Sequence, residues 1–545
     1  MIRMFSRLEA SVGRGHEPAR AFCAARSIPS RARRRAGVGR LAMVIALLGC
    51  ACTDDGVETS RSGPVAHDPR PGEISAIRRV TGTVDTNPAV ATPYGWAGLE
   101  RVGARAAGGT PPVAGEVRQP RCSRVVGLAS EDAEVDPESA RTTTIQEAVD
   151  QAQPGDVVCV FSAGPARERV MVTRSGTPNA PIRIRAVGEI QSAGFVVEAD
   201  HVAIEGFSIT NRGVGDDEGR GMGIYLAGTG LQIRNNRVTD TDGDGIGCEH
   251  NPPRCTDVVI DSNTVRGANG TGIIVLGRRI LVENNDVAGS VMGDGVDADG
   301  IRFFGSEIII RGNYIHDIYD RGYPPDEGPH TDCFQTFDDD KPPTVSVTIE
   351  NNVCHNVDHQ CLIAEGVTQQ QSSSIIFRNN ICNNNGSQAI FVREFPEVTI
   401  TNNLFLDSMV YHGIFLESGS TGVVIGNNVF VGKYRPYIAD AASLPGLVAD
   451  HNLVFDRDNP TPPAWWSEAH GIWGVEPFGL HGGSSTTRYR PAMGSPLIDA
   501  GNKVYGAADT DLDGSPRVRD GNHDGEAVID IGPHEMAADT GGGGS

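Results

Sequence analysis

Asparagine recurs nine times just after a short β-branched run, in IRNNRV, IDSNTV, VENNDV, IRGNYI, IENNVC, FRNNIC, ITNNLF, IGNNVF and ADHNLV. The shared positions are Asn236, Asn263, Asn285, Asn313, Asn352, Asn380, Asn403, Asn428 and Asn452, in steps of 22 to 39 residues. A second run alternates with the first: GIYL, DGIG, TGIIV, DGIRFF, DCFQTF, QCLIAE, QAIFVRE and HGIFLE. A unit this small cannot bury its own apolar face, so it has to stack on the next one. Parallel strands stacked every ~4.8 Å, with Asn side chains bonding along the stack, predict an all-β solenoid of the parallel β-helix type.

The repeat sets the boundaries. Residues 1–49 hold ten Arg and two Glu and end in the apolar run LAMVIALLG, too short to span a bilayer. This is export-signal architecture. LLGC, ending at Cys50, resembles a lipobox, which implies lipidation of Cys50 and a cell-envelope lipoprotein; a plain secretory signal is the alternative, giving an extracellular protein. Residues 50–120 are rich in Gly, Pro, Ala and Thr and read as a flexible tether. The β-helix is expected over 121–460, a C-terminal cap or display segment over 461–536, and a flexible tail over 537–545. The whole chain carries a formal net charge of −22, and the part beyond the leader is more acidic still. Such a surface repels nucleic acid, so no nucleic-acid partner is expected. A monomer is expected.

Residues 143–187 read TTIQEAVDQAQPGDVVCVFSAG and then RERVMVTRSGTPNAPIRIRAVG, with HVAIEGFSITN beyond. This stretch resembles the opening of chondroitinase-B-like and family 9 polysaccharide lyases, in the right-handed parallel β-helix superfamily of the pectate lyases. The resemblance covers roughly residues 122–455. It implies a right-handed coil, a helix that caps the open end of the first rung, and a polysaccharide as partner. The ending SPLIDAG…DTDLDGSPRVRDGNHDGEAVIDIGPHE resembles a segment common in exported bacterial β-helix proteins, implying capping and display. ADGIRFF (298–304) is similar to the strand carrying the catalytic Lys in family 9 lyases, but Phe304 stands where that Lys would be.

Stacking predicts which residues meet. Aligning the second strand on Ile224, Ile246, Ile273, Ile301, Phe334, Leu362, Ile390 and Ile414 brings Asp299, Arg302, Asp332, Gln335, Glu365, Arg393 and Glu417 to one patch, near His412. The longest step contains an insertion that adds His330 and Lys341, and long loops often wall a cleft. Asp299, Arg302, His330, Asp332, Lys341, Glu365 and Arg393 are the catalytic candidates; Gln335, His412, Glu417, Trp465 and Trp466 are the substrate-binding ones. Bland readings compete: a solvated sheet face, a tolerated insertion, tryptophans in a core.

The 28-residue spacings pair Cys333 with Cys361 and Cys354 with Cys382, one rung apart. Cys248 with Cys255, and Cys122 with Cys159, complete the expected disulfides. Asp240, Asp242 and Asp244, and Asp509, Asp511 and Asp513, alternate as oxygen ligands do in calcium loops, making Ca²⁺ the expected cofactor. Three functions fit. A lyase needs a base and a cation to neutralise the uronate carboxylate; the resemblance favours it or an epimerase. A glycoside hydrolase needs two spaced carboxylates, such as Asp299 with Asp332 or Glu365. A non-catalytic surface or adhesion protein needs only a glycan-binding face.

Overall fold

The computed structural model describes residues 121–127, 135–162, 167–213, 221–292, 297–323, 328–366, 371–384, 387–406, 412–432, 435–477 and 490–536. The leader with Cys50, the tether and the tail lie outside the described residues. The chain divides into two compact units, 1–68 and 69–545, and everything below concerns the second. Among the described residues no helix is long and apolar enough to cross a membrane.

Each coil runs through three strands, and the pairing between successive coils is parallel on all three faces. Face one carries Ile224–Leu226, Ile246–Cys248, the first halves of Ile273–Glu283 and Ile301–Arg311, then Phe334–Phe337, Leu362–Glu365, Ile390–Arg393 and Ile414–Glu417. Its register stacks Ile224, Ile246, Ile273, Ile301, Phe334, Leu362, Ile390 and Ile414, as the alignment predicts. The two long strands bend from face one to face two at Gly277 and Gly305. Gly305 has φ +106°, and a Cβ there would lie 2.0 Å from the carbonyl oxygen of Gly277.

The nine Asn occupy the turn between faces two and three, and all are buried. Asn236 shows the pattern: its backbone N–H and its Nδ2 both donate to Asn263 Oδ1, and Nδ2 also donates to the carbonyl of Ile204. The same bonds repeat down to Asn452. The last Asn has no tenth Asn below it. Glu468 takes that place, its two carboxylate oxygens accepting the backbone N–H and the Nδ2 of Asn452. The residue before each ladder Asn is left-handed, with φ between +54° and +65°. This explains the choice of Asn, Gly or Ser there; the last coil has His451 instead.

Both ends of the core are covered. The helix Ile145–Asp150 lays Ile145, Ala148 and Val149 against the first coils. Thr144 caps it by accepting from the N–H of Glu147, while Glu168 accepts from the N–H groups of Ile145 and Gln146. At the far end Trp466 and Trp473 pack against the core, with Trp465 edge-on to both. The C-terminal segment docks along the outer Asn of the turn. Asn379 Nδ2 donates to Thr510 O, Asn402 Nδ2 to Asp530 O, and Asn427 Nδ2 to Asn502 O.

Two disulfides form as expected, Cys122–Cys159 and Cys248–Cys255. The other two correct the expectation. Cys354 does stack on Cys382, yet the bonds are Cys333–Cys354 and Cys361–Cys382, each within one coil, with Cα–Cα distances of 6.0 and 5.9 Å. Stacked residues project in parallel, whereas inward residues on different faces of one coil converge. Four disulfides suit an oxidising compartment.

Two outcomes test this account. Asn313→Ala strips Asn285 of the acceptor for two buried donors and should cost about 2–5 kcal/mol, read as a lowered denaturation midpoint. Non-reducing peptide mapping should recover the pairs Cys333–Cys354 and Cys361–Cys382 and neither stacked pair.

Candidate functional site

The predicted patch forms on face one, but its members divide by depth. Asp299 and Asp332 are fully buried in the turn that leads into the face. Each carboxylate braces the next coil: Asp299 Oδ1 accepts from the N–H of Asp332 at 2.8 Å, and Asp332 Oδ1 from the N–H of Gln360 at 2.7 Å. Asp332 Oδ2 has no hydrogen-bond partner among the described residues. Burial, with the Asp299 charge adding to it, pushes the Asp332 carboxyl well above the ordinary carboxylate value; burial raises Asp299 as well.

Arg302 projects outward beside them. Its Nε donates to Asp299 Oδ2 at 2.7 Å and to Gln335 Oε1 at 2.6 Å, and its Nη2 lies 3.1 Å from Asp297 Oδ2. The guanidinium thus occupies the middle of the carboxylates.

Two groups flank this centre. Toward one end, Phe304 and Phe337 stack edge-on at 5.0 Å, with the Arg302 guanidinium 6.0 Å from the ring of Phe337. Lys341, carried in by the long insertion, sets its ammonium 5.5 Å from the centre of the Phe304 ring and 3.5 Å from Glu249. Asn251 Nδ2 donates to Asp340 O, tying that insertion to the Cys248–Cys255 loop. At the strand entrance, the rings of His330 and His359 lie 5.4 Å apart; His330 faces Asp297 at 3.9 Å and His359 faces Asp320 at 3.3 Å. Burial lowers the His359 pKa, and the neighbouring His330 lowers it further.

Further along the face, Glu365, Arg393 and Glu417 stack in register, with Glu365 to Arg393 at 3.7 Å. Burial raises the Glu365 pKa against the pull of Arg393. Beside them Phe391 and Phe415 form a half-buried aromatic pair 5.6 Å apart, with His412 5.7 Å from Phe415. Burial and the charge of Arg435 bring the His412 pKa down to about 4.

Other candidates fall elsewhere. Trp465 and Trp466 belong to the end of the core. Asp242 Oδ1 accepts from the N–H of Gly213 and Asp244 Oδ1 from that of Thr271, while Asp240 faces Arg212 at 3.8 Å; the three do not gather around one point. Asp511 holds the N–H groups of Asp513, Ser515 and Glu535. Asp513 pairs with Arg490 and His534, and Asp509 is exposed beside Lys503. These carboxylates are engaged with backbone and side-chain donors, so no catalytic step is routed through calcium.

Sequence reasoning missed Asp297, His359 and Asp320. Asp297 was signalled by the Asp-Ala-Asp spacing before the strand, and His359 by a position one residue out of step with His330.

The sequence matches the family described as "Right handed beta helix region" over residues 179–287 and 253–430. Among solved structures it is similar to XylC in complex with xylose, at 11% identity and TM-score 0.50 over 76% of this chain and 98% of that one. Pectate lyase Pel9A matches at 14% identity and TM-score 0.43, over 76% and 97%. An alginate lyase from Paenibacillus sp. str. FPU-7 matches at 16% and 0.38, over 61% and 99%. A search of curated proteins finds no sequence match. With the family match lying within its stacked parallel coils, the chain is a right-handed parallel β-helix protein.

Proposed function

We propose that the chain is a polysaccharide lyase acting by β-elimination on a uronate-containing polymer, with Lys341 as the base and Arg302 neutralising the substrate carboxylate. The carbohydrate class rests on the resemblance of its opening coils and of ADGIRFF to polysaccharide lyases. One observation carries the chemistry: Lys341 sets its ammonium over Phe304, the position where the resemblance expects a catalytic Lys. The insertion returns from another coil the cation that the strand lacks.

In the reaction the Lys341 amino group takes the C5 proton while Arg302, steadied by Gln335, opposes the charge growing on the carboxylate. The electron pair forms the C4–C5 double bond, the C4–O bond breaks, and solvent protonates the leaving oxygen. Phe391 and Phe415 offer faces for sugar rings along the polymer. The hydrolase reading loses ground because Asp299 and Asp332 are sealed from solvent and engaged with backbone donors.

The test uses the full chain with polygalacturonate, alginate and glycosaminoglycans, read by ultraviolet absorbance of unsaturated uronate and by reducing ends. Lys341→Gln should lower kcat by about 100-fold or more while leaving KM nearly unchanged. Asp332 is sealed from solvent and braces the next coil, and Asp332→Asn keeps its shape and its acceptor oxygen, so turnover should stay within about tenfold of the parent. A hydrolase would instead yield reducing ends without absorbance and collapse in Asp332→Asn. Binding of glycan with neither product would leave a recognition protein.

A further inference from the structure

At the last position of face two, several stacked residues pair opposite charges. Arg234 sits over Asp261, Glu283 over Arg311 and Glu350 over Arg378, with the pairs 3.8, 2.7 and 2.8 Å apart. The column ends at Asp450, whose stacked neighbour is Gly426. Among the described residues no arginine pairs with this half-buried carboxylate. Two imidazoles do: His470 Nδ1 lies 2.8 Å and His451 Nδ1 3.4 Å from the same oxygen, Asp450 Oδ2. The imidazole rings stack with centroids 4.6 Å apart.

We propose that Asp450, His451 and His470 bind one divalent transition-metal ion of the zinc type. One ligand atom from each lies within 4.8 Å of the other two. Ligands bound at roughly 2.0–2.2 Å to one tetrahedral ion lie roughly 3.3–3.6 Å apart, so small side-chain rotations bring the three onto it. His451 Nδ1 is buried beside Asp450 Oδ2, while the exposed His470 leaves the ion a path in. Two nitrogens and one carboxylate oxygen suit zinc, nickel or copper and not calcium, which takes oxygen ligands.

The surroundings orient the ligands as outer groups do around bound metals. Asp450 Oδ1 accepts from the N–H of His470, fixing the carboxylate, and the Tyr505 hydroxyl donates to Oδ2 at 3.2 Å. Tyr505 comes from the docked C-terminal segment and His470 from the turn after the tryptophans. The ion would join two stretches where the Asn ladder ends, with Tyr505 holding a third against them.

The test uses the full chain without a histidine tag, stripped with chelator and titrated with Zn²⁺ in a calorimeter. Zinc should bind one per chain and raise the thermal midpoint; Co²⁺ should develop a visible absorption band. His470→Ala, at an exposed position, should fold normally and lose zinc binding, the thermal shift and the cobalt band. Tyr505→Phe should weaken zinc by about tenfold. No uptake, unchanged uptake in His470→Ala, or displacement of zinc by equimolar Ca²⁺ would each overturn the site. These readouts are independent of polysaccharide cleavage.

Discussion

A buried amide that must have all its hydrogens bonded underlies the rest of the molecule. Each ladder Asn between the two ends offers one carbonyl oxygen to two donors of the coil before it and spends its own two amide hydrogens on a backbone carbonyl and the next Asn, as Asn285 does. Neither Asp, lacking the donor, nor Gln, one methylene longer, meets all these demands. Unsatisfied buried groups are expensive, so the ladder fixes where each coil turns, and hence which residues face outward together. The patch on face one exists because the turn on the opposite edge cannot slip.

The ladder also needs an ending. Donors run in one direction along it, leaving two on Asn452 for Glu468 to satisfy. The N-terminal end needs no equivalent, because Asn236 Oδ1 accepts from the backbone of Phe207. The acidic chain thus places one carboxylate where the repeat runs out of amides, and the candidate metal ligands cluster within a few residues of it.

Most of the fold was legible because it is periodic. The nine Asn and the inward column follow from spacing and apolar alternation, and the capping helix from the resemblance of residues 143–187 to polysaccharide lyases. Disulfide partners were not, because spacing reports which residues stack and not which way their side chains lean: Cys354 stacks on Cys382 and bonds to Cys333. Within the site, strand positions such as Arg302, Gln335 and Glu365 were readable, since register decides them. Depth was not. Asp299 and Asp332 lie in the turn before the strand, where outward and inward lose their meaning, and they proved to be braces. Lys341 and His359 reach the site from loops, whose paths no period dictates.

The docking of the C-terminal segment has a consequence for the order of assembly. Asn379, Asn402 and Asn427 sit on coils that the ribosome completes early, but their outer partners come 75 to 138 residues later. A chain made from its N-terminus onward can stack coils one after another from the capped end. It leaves a row of polar side chains wet until its final stretch arrives and folds back across coils already built. The molecule closes like a book whose clasp is fastened last.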